Sequence, residues 1–191
     1  RLFGFTGGFM LNHKGTQPIR TQRLLLRQFT ENDGAEMYES WTGDEQVALY
    51  VSWHKHKNVE ESKTIAKSWA YSYRFPHSYN WGIELDGRLI GNISVVRLVE
   101  RDLMCEVGFC LSRDYWNQGI MTEALKAVID YLFAVGFHRV SCLHKIENSA
   151  SGRVLQKAGM GFEGILKGYA RRKDGGFSDS AVYGIIISNL G

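Results

Sequence analysis

Proline is nearly absent, cysteine is scarce and odd in number, and no apolar run approaches the thickness of a bilayer. Two prolines in 191 residues leave no proline-rich linker or recognition tract, and no repeat or low-complexity segment stands in for one. The three cysteines, Cys105, Cys110 and Cys142, cannot all pair and sit inside apolar runs. That excludes a disulfide scaffold and reads as buried thiols in a reducing compartment, with the cytoplasm as the expected location. No Cys/His spacing matches a zinc site, and His54 with His56 reads as part of a solvated loop, so no metal is expected. No stretch nears the roughly 20 apolar residues of a membrane helix. A strong excess of one charge is also missing: the net charge is +3 and the pI about 8.7. Scattered cations without aromatic–basic interleaving argue against nucleic acid as a direct partner, whereas a mildly basic chain suits an anionic cofactor.

What is present is the composition of one globular domain with a sizeable core, 44% hydrophobic and 23% charged, with a generous 13% of aromatic residues. Residues 1–16, which mix Phe with Gly and lack a signal peptide's apolar run, are expected to be a flexible extension or an expression remnant. Residues 17–191 are expected to form a single domain.

In chain order, Thr21–Phe29 alternates as a first strand, and Thr30 to Asp33 supply capping residues for a helix carrying Ala35, Tyr38 and Trp41. Asn58 and Glu61 form a capping-box pattern ahead of a second helix with Ile65, Ala66, Trp69 and Tyr73 on one stripe. Asp86-Gly87 between two alternating runs is a hairpin signal. Then come a strand over Met104–Leu111, a helix from Thr122 ended by Gly136, and a strand over Arg139–His144. A short helix capped by Asn148 or Ser149 follows, and two strands around Lys173–Gly176 close the chain. The strand–helix–strand order makes Met104–Leu111 and Arg139–His144 parallel. This order predicts an α/β sandwich with a mixed sheet, not a doubly wound fold.

The stretch Cys105–Leu125 organises the rest. An apolar strand breaks at Ser112-Arg113-Asp114, a loop presents Asn117-Gln118-Gly119, and Thr122-Glu123-Ala124-Leu125 opens a helix. A helix start concentrates unpaired N–H groups and partial positive charge, which suits a phosphate, and a glycine lets backbone approach it closely. Three stretches carry a resemblance: Thr21-Gln22-Arg23-Leu24-Leu25-Leu26-Arg27, then Tyr115 to Ala124, and then Asn148/Ser151/Lys157 in their spacing. Together they resemble the GNAT superfamily of acyl-CoA N-acyltransferases, and within it the branch that acetylates N-terminal amines of ribosomal proteins. The resemblance implies a mixed, mostly antiparallel seven-stranded sheet flanked by helices, with a splayed parallel strand pair at its centre. It implies acetyl-CoA as co-substrate, an amine acceptor, and a homodimer.

It also implies site residues. The CoA pyrophosphate would rest on the loop Asn117, Gln118, Gly119, Ile120, Met121 and Thr122. The pantetheine arm would bond the backbone of Phe109, Cys110 and Leu111. Asn148 would offer donor and acceptor to the same arm, and Lys157, with Arg153 or Lys145, would meet nucleotide phosphates. Two loop positions depart from the usual signature, Trp116 and the bulky Met121, and Leu155 stands where many members carry an acidic tyrosine.

In this chemistry an amine attacks a thioester carbonyl, so a base must first take the ammonium proton. Glu106 interrupts an apolar strand on the face shared with Gly108 and Cys110, and burial there would raise its pKa. Its alternative is an ordinary residue at the sheet rim; the family position selects the base. Ser151 either protonates the leaving thiolate or caps its helix, and Tyr183 is a spare acid or a core residue. Trp41, Tyr50, Trp53 and Tyr73 are candidates for the acceptor wall, with Arg171, Arg172 and Lys173 facing an acidic acceptor. The acceptor is expected to be a protein N-terminal amine, the alternatives being a polyamine- or aminoglycoside-like amine or a CoA-binding module without catalysis.

Overall fold

The computed structural model describes residues 11–187. Residues 1–10 of the expected extension lie outside the described residues. Residues 11–16 bond to the body of the fold: the Asn12 N–H reaches the Val135 carbonyl at 3.0 Å, and the buried Thr16 hydroxyl donates to the Ser78 carbonyl at 3.0 Å.

The strands are β1 (Ile19–Arg20), β2 (Leu24–Arg27), β3 (Asn80–Leu85), β4 (Arg88–Val99), β5 (Met104–Leu111), β6 (Arg139–Lys145), β7 (Gly161–Arg171) and β8 (Phe177–Ile186). They form one sheet in the order β1-β2-β3-β4-β5-β6-β8-β7. Every neighbouring pair is antiparallel except β5 and β6. The mixed sheet and its central parallel pair match expectation. The strand beyond the seven implied is the two-residue β1, which folds back on β2. The β3–β4 hairpin turns at Asp86 and Gly87, both at positive φ (50° and 76°), as a tight two-residue turn requires.

Helices cover both faces. On one lie α4 (Ile120–Val135) and α5 (Ser149–Lys157); on the other lie α1 (Gly34–Met37), α2 (Glu45–Ala48) and α3 (Val59–Ser72). The buried stripe of α4, including Leu125, Val128, Ile129 and Leu132, meets Leu26, Ile83, Val107 and Val140 of the sheet. Each fully buried side chain of this size contributes about 1.5–3 kcal/mol. Helix α4 starts at Ile120, two residues before the expected Thr122, because Gly119 takes the left-handed conformation (φ 74°) directly before it.

The first helical segment is broken rather than continuous. A 3-10 turn (Glu31–Asp33), α1 and a π turn (Tyr38–Thr42) succeed one another. The Gly43 N–H bonds the Tyr38 carbonyl at 3.1 Å, five residues back, and this wider turn seats the fully buried Trp41 against Phe29. Half of the expected capping box at α3 forms. Asn58 accepts from the Glu61 N–H at 3.1 Å, whereas the Glu61 carboxylate bonds the Lys57 N–H. The cysteines are buried free thiols, and burial pushes each up to about 12. Among the described residues no helix is long and apolar enough to cross a membrane.

Candidate active site

The parallel pair is joined only at its base. β5 and β6 pair through Met104–Arg139, Cys105–Val140 and Glu106–Ser141, and no further. Above that, β4 holds β5 as far as Leu111, and β8 holds β6 as far as Lys145. The two arms therefore diverge while each keeps its outer neighbour, and backbone groups inside the fork lose their partners.

Alternation decides which groups these are. The Ser112 N–H bonds the Ile90 carbonyl at 2.7 Å, which makes Ser112–Ile90 a hydrogen-bonded pair. Two and four residues back, Cys110 and Gly108 also turn their backbones toward β4, whereas Leu111, Phe109 and Val107 turn theirs into the fork. Cys110, expected to meet the pantetheine arm, borders the donor cavity with its backbone groups toward β4. Its thiol reaches Asn92 Oδ1 at 2.9 Å. The Leu111 carbonyl is already taken by the Trp116 indole N–H at 2.8 Å, which leaves the Leu111 N–H and the Phe109 backbone groups at the mouth. Trp116, a departure from the signature, thus ties the loop to the strand end.

The loop is built for close backbone approach. Asn117 and Gly119 both have positive φ, 60° and 74°, which gathers successive N–H groups at the start of α4. The Gln118 side chain is tied back within the loop, donating to the Asp114 carbonyl at 2.9 Å. Met121 is buried in the core and also borders the donor cavity. Arg23 holds the loop from below. Its Nη1 donates to the Gln118 carbonyl at 3.0 Å and its Nε to Glu123 at 2.7 Å. Burial raises the Glu123 carboxyl, but bonds from the Thr21 hydroxyl and from Arg23 outweigh it and hold the group below the ordinary value. Arg23→Ala is expected to weaken acetyl-CoA binding about three- to tenfold by loosening the loop, with a smaller effect on turnover, as calorimetry and steady-state kinetics would read.

Across the fork, Asn148 caps α5: its Oδ1 accepts from the Ser151 N–H at 3.3 Å. The cap role weighed for Ser151 therefore belongs to Asn148. Asn148 spends acceptor capacity on the helix and keeps its amide N–H groups, while the Ser151 hydroxyl has no side-chain hydrogen bond among the described residues. Lys157 ends α5 and, with Thr122, borders the cavity there; Arg153 also borders it and bonds Ser149 at 3.2 Å. Leu155 is fully buried, and Tyr183 packs in the core with its ring 5.6 Å from that of His144.

Two cavities meet at the fork. The first, about 500 Å³, runs from Phe109 along the loop to α5. The second, about 720 Å³, lies on the α1–α3 face and contains Glu106. Tyr50, Val51, Phe109, Cys110, Asn148 and Ser151 border both, so the two spaces adjoin there. Beside Glu106, β4 bulges: Val95 faces Val107 and Arg97 faces Glu106, leaving Val96 extra. Burial raises the Glu106 carboxyl above the ordinary glutamate value, with Arg97 opposing. Trp41, Tyr50 and Trp53 wall this cavity as expected, joined by Trp69 and Tyr169. Tyr73 does not line it; its hydroxyl bonds the Phe29 N–H and the Asn80 carbonyl inside the core. Of the cationic hairpin residues Arg171 borders the cavity, while Arg172 pairs with Asp174 and Lys173 bonds the Ala48 carbonyl. The sequence reading missed His56, which lines the cavity instead of standing in solvent.

Backbone N–H groups at a helix start, an asparagine amide, free strand backbone in a fork and a lysine at the rim suit an anionic cofactor with an amide-bearing arm. Among the described residues no cluster of His, Cys, Asp and Glu is placed to hold a metal. The fold and the adjoining cavities define an acyl-CoA-dependent acyltransferase. A family model, the acetyltransferase (GNAT) domain, matches residues 23–161. The chain belongs to the GNAT acetyltransferase family and uses acetyl-CoA as its acyl donor.

Over 171 residues it is 30% identical to the uncharacterized N-acetyltransferase YoaA of Bacillus subtilis, covering 88% of this chain and 96% of that protein. A GNAT-family acetyltransferase structure from Bacillus anthracis superposes with a TM-score of 0.77 at 26% identity, covering 89% of this chain and 98% of that one. RimL, described as a ribosomal L7/L12 alpha-N-protein acetyltransferase in complex with coenzyme A, shares the fold with a TM-score of 0.81. It is 19% identical over 90% of this chain and 98% of its own.

Proposed function

We propose that the protein acetylates a primary amine, with a protein N-terminal α-amine as the first choice, and that Glu106 removes the ammonium proton. The observation that carries this is the single carboxylate bordering the second cavity, on the last rung that joins β5 to β6. An alkyl ammonium is mostly protonated at neutral pH, and a carboxylate with a raised pKa is a better proton acceptor than an ordinary one. Acetyl-CoA supplies the activated thioester. On the donor side, Phe109 backbone and the Asn148 amide orient the pantetheine arm. The Gln118–Thr122 backbone takes the pyrophosphate, and Lys157 a nucleotide phosphate. Ser151 borders both cavities, its hydroxyl has no hydrogen bond among the described residues, and it would protonate the departing sulfur. The α-amine choice draws on the likeness to RimL, whose description names an alpha-N-protein acetyltransferase.

The test is incubation with acetyl-CoA and two acceptor panels, short N-terminal peptides against polyamines and aminoglycosides, following thiol release and product mass. Acetylation of peptide α-amines is expected. Transfer confined to the small amines would replace the acceptor assignment, and cofactor binding without transfer to any amine would end the proposal.

A further inference from the structure

The loop expected to be solvated, His54 to Lys57, carries a side chain anchored on buried polar groups. The His56 N–H bonds the Thr42 carbonyl at 2.9 Å, and its ring Nδ1 lies 2.7 Å from the Ser62 hydroxyl. That hydroxyl lies 2.6 Å from the Thr42 hydroxyl. Both hydroxyls are buried, Ser62 completely and Thr42 to 3% exposure. They sit on different elements, Ser62 in the first turns of α3 and Thr42 at the end of the π turn. The Trp53 ring, 5.7 Å away, flanks the imidazole. An orienting pair of this kind holds a ring in one pose and selects its tautomer.

Counting protons shows which tautomer. Among the described residues the Thr42 hydroxyl has Ser62 as its one side-chain partner, and Ser62 has Thr42 and His56. If His56 Nδ1–H donated to Ser62, the Ser62 proton would go to Thr42, and the proton of the almost fully buried Thr42 hydroxyl would have no protein acceptor among the described residues. In the opposite direction Thr42 donates to Ser62 and Ser62 donates to Nδ1. Both buried hydroxyl protons then have acceptors, and the one proton left over sits on the imidazole, which is only partly buried and borders the cavity, rather than on Thr42 at 3% exposure. Nδ1 is the acceptor, so Nε2 carries the hydrogen, and Nε2 has no protein partner among the described residues. Burial holds the imidazole below its ordinary pKa, against the opposing charge of Glu61, so the ring is neutral near pH 7.

We propose that His56 is a specificity-determining residue of the acceptor cavity, whose Nε2–H donates to an oxygen that the acceptor carries near its amine. This rests on the acetyl-transfer reading and narrows its substrate class. A neutral donor fixed in an aromatic cavity favours an amine with a carbonyl close by, as every peptide α-amine has, over a bare alkylamine of the same size. The walls of Trp41, Trp53 and Trp69 bind both kinds through apolar contact and do not tell them apart. A site that offers a buried donor rejects the analogue lacking the acceptor, because the donor is then left unpaired.

Two measurements decide it. Ring-nitrogen NMR on the uniformly 15N-labelled full chain, without substrate, is expected to show the His56 proton on Nε2 at neutral pH, and Ser62→Ala to shift the tautomer ratio. A proton resident on Nδ1 overturns the proposal. In kinetics with a seryl dipeptide amide and an alkylamine of equal length, His56→Leu is expected to lower kcat/KM for the dipeptide about ten- to a hundredfold more than for the alkylamine, with partial recovery in His56→Gln. Equal losses on both acceptors, or no loss on either, overturn it. A wild-type enzyme that acetylates no amine would instead remove the acetyl-transfer reading, and the NMR result would still settle the tautomer.

Discussion

Glu106→Gln is expected to lower kcat by about 10²–10⁴-fold, the range a positioned general base contributes, and to change acetyl-CoA affinity by no more than about twofold, since the side chain lies outside the donor cavity. The substitution keeps size and shape and removes the ionisable group. Stability is expected to move the other way. Burial raises the folded-state pKa of Glu106, with Arg97 only partly offsetting it, so the folded protein prefers the protonated side chain. Its contribution to stability is then fully present below the ordinary glutamate value and is lost as pH rises through the raised value. At neutral pH the ionised carboxylate is a burden on the fold, and the neutral amide should leave Tm unchanged or slightly higher. In the wild type, kcat/KM should climb through the same raised carboxyl pKa, and the variant should lose that limb. Parallel losses of turnover and acetyl-CoA affinity, or an unchanged pH profile, would remove Glu106 as the base.

Gly34→Ala is expected to be the most disruptive small change on the acceptor side. A methyl group at Gly34 would lie 2.4 Å from Lys63 Cα and 2.7 Å from Lys63 N, both backbone atoms of α3. Backbone cannot rotate aside as a side chain can, so α1 and α3 must separate. Overpacking of this kind costs about 3 kcal/mol, a fall in Tm on the order of 6–12 °C for a chain of this size. The displaced helix carries Ser62, Ile65 and Trp69, so KM for the acceptor should rise while acetyl-CoA affinity holds, because the donor loop lies across the sheet. Thermal melts with separate donor and acceptor titrations check both halves.

Local signals located most of the elements because each rests on neighbours in the chain. Asp86-Gly87 turns a hairpin since two adjacent positive-φ residues are needed there, and Gly136 ends α4 because its C-cap takes a positive φ that glycine adopts without strain. Where a contact came from far away, the reading failed. Nothing between Glu31 and Ala48 announces a helix broken by a π turn, because the break answers to Trp41 filling a gap beside Phe29. Tyr73 has the spacing of a cavity residue, yet its hydroxyl is claimed by Phe29 and Asn80. His56 sits in a run of cations that reads as solvated until Ser62 and Thr42 are brought beneath it.

The amino-acid order alone determined the strand–loop–helix around Gly119, the parallel partner that must follow it, the buried thiols and the carboxylate in an apolar strand. All of these depend on periodicity and backbone conformation over a few residues. Only the tertiary structure decided where β5 and β6 part, which backbone groups that frees, and which aromatic and imidazole side chains share a cavity with Glu106. Those outcomes depend on β4 and β8 each holding one arm of the fork and on α3 packing against α1. No local stretch of chain encodes such a competition between distant partners.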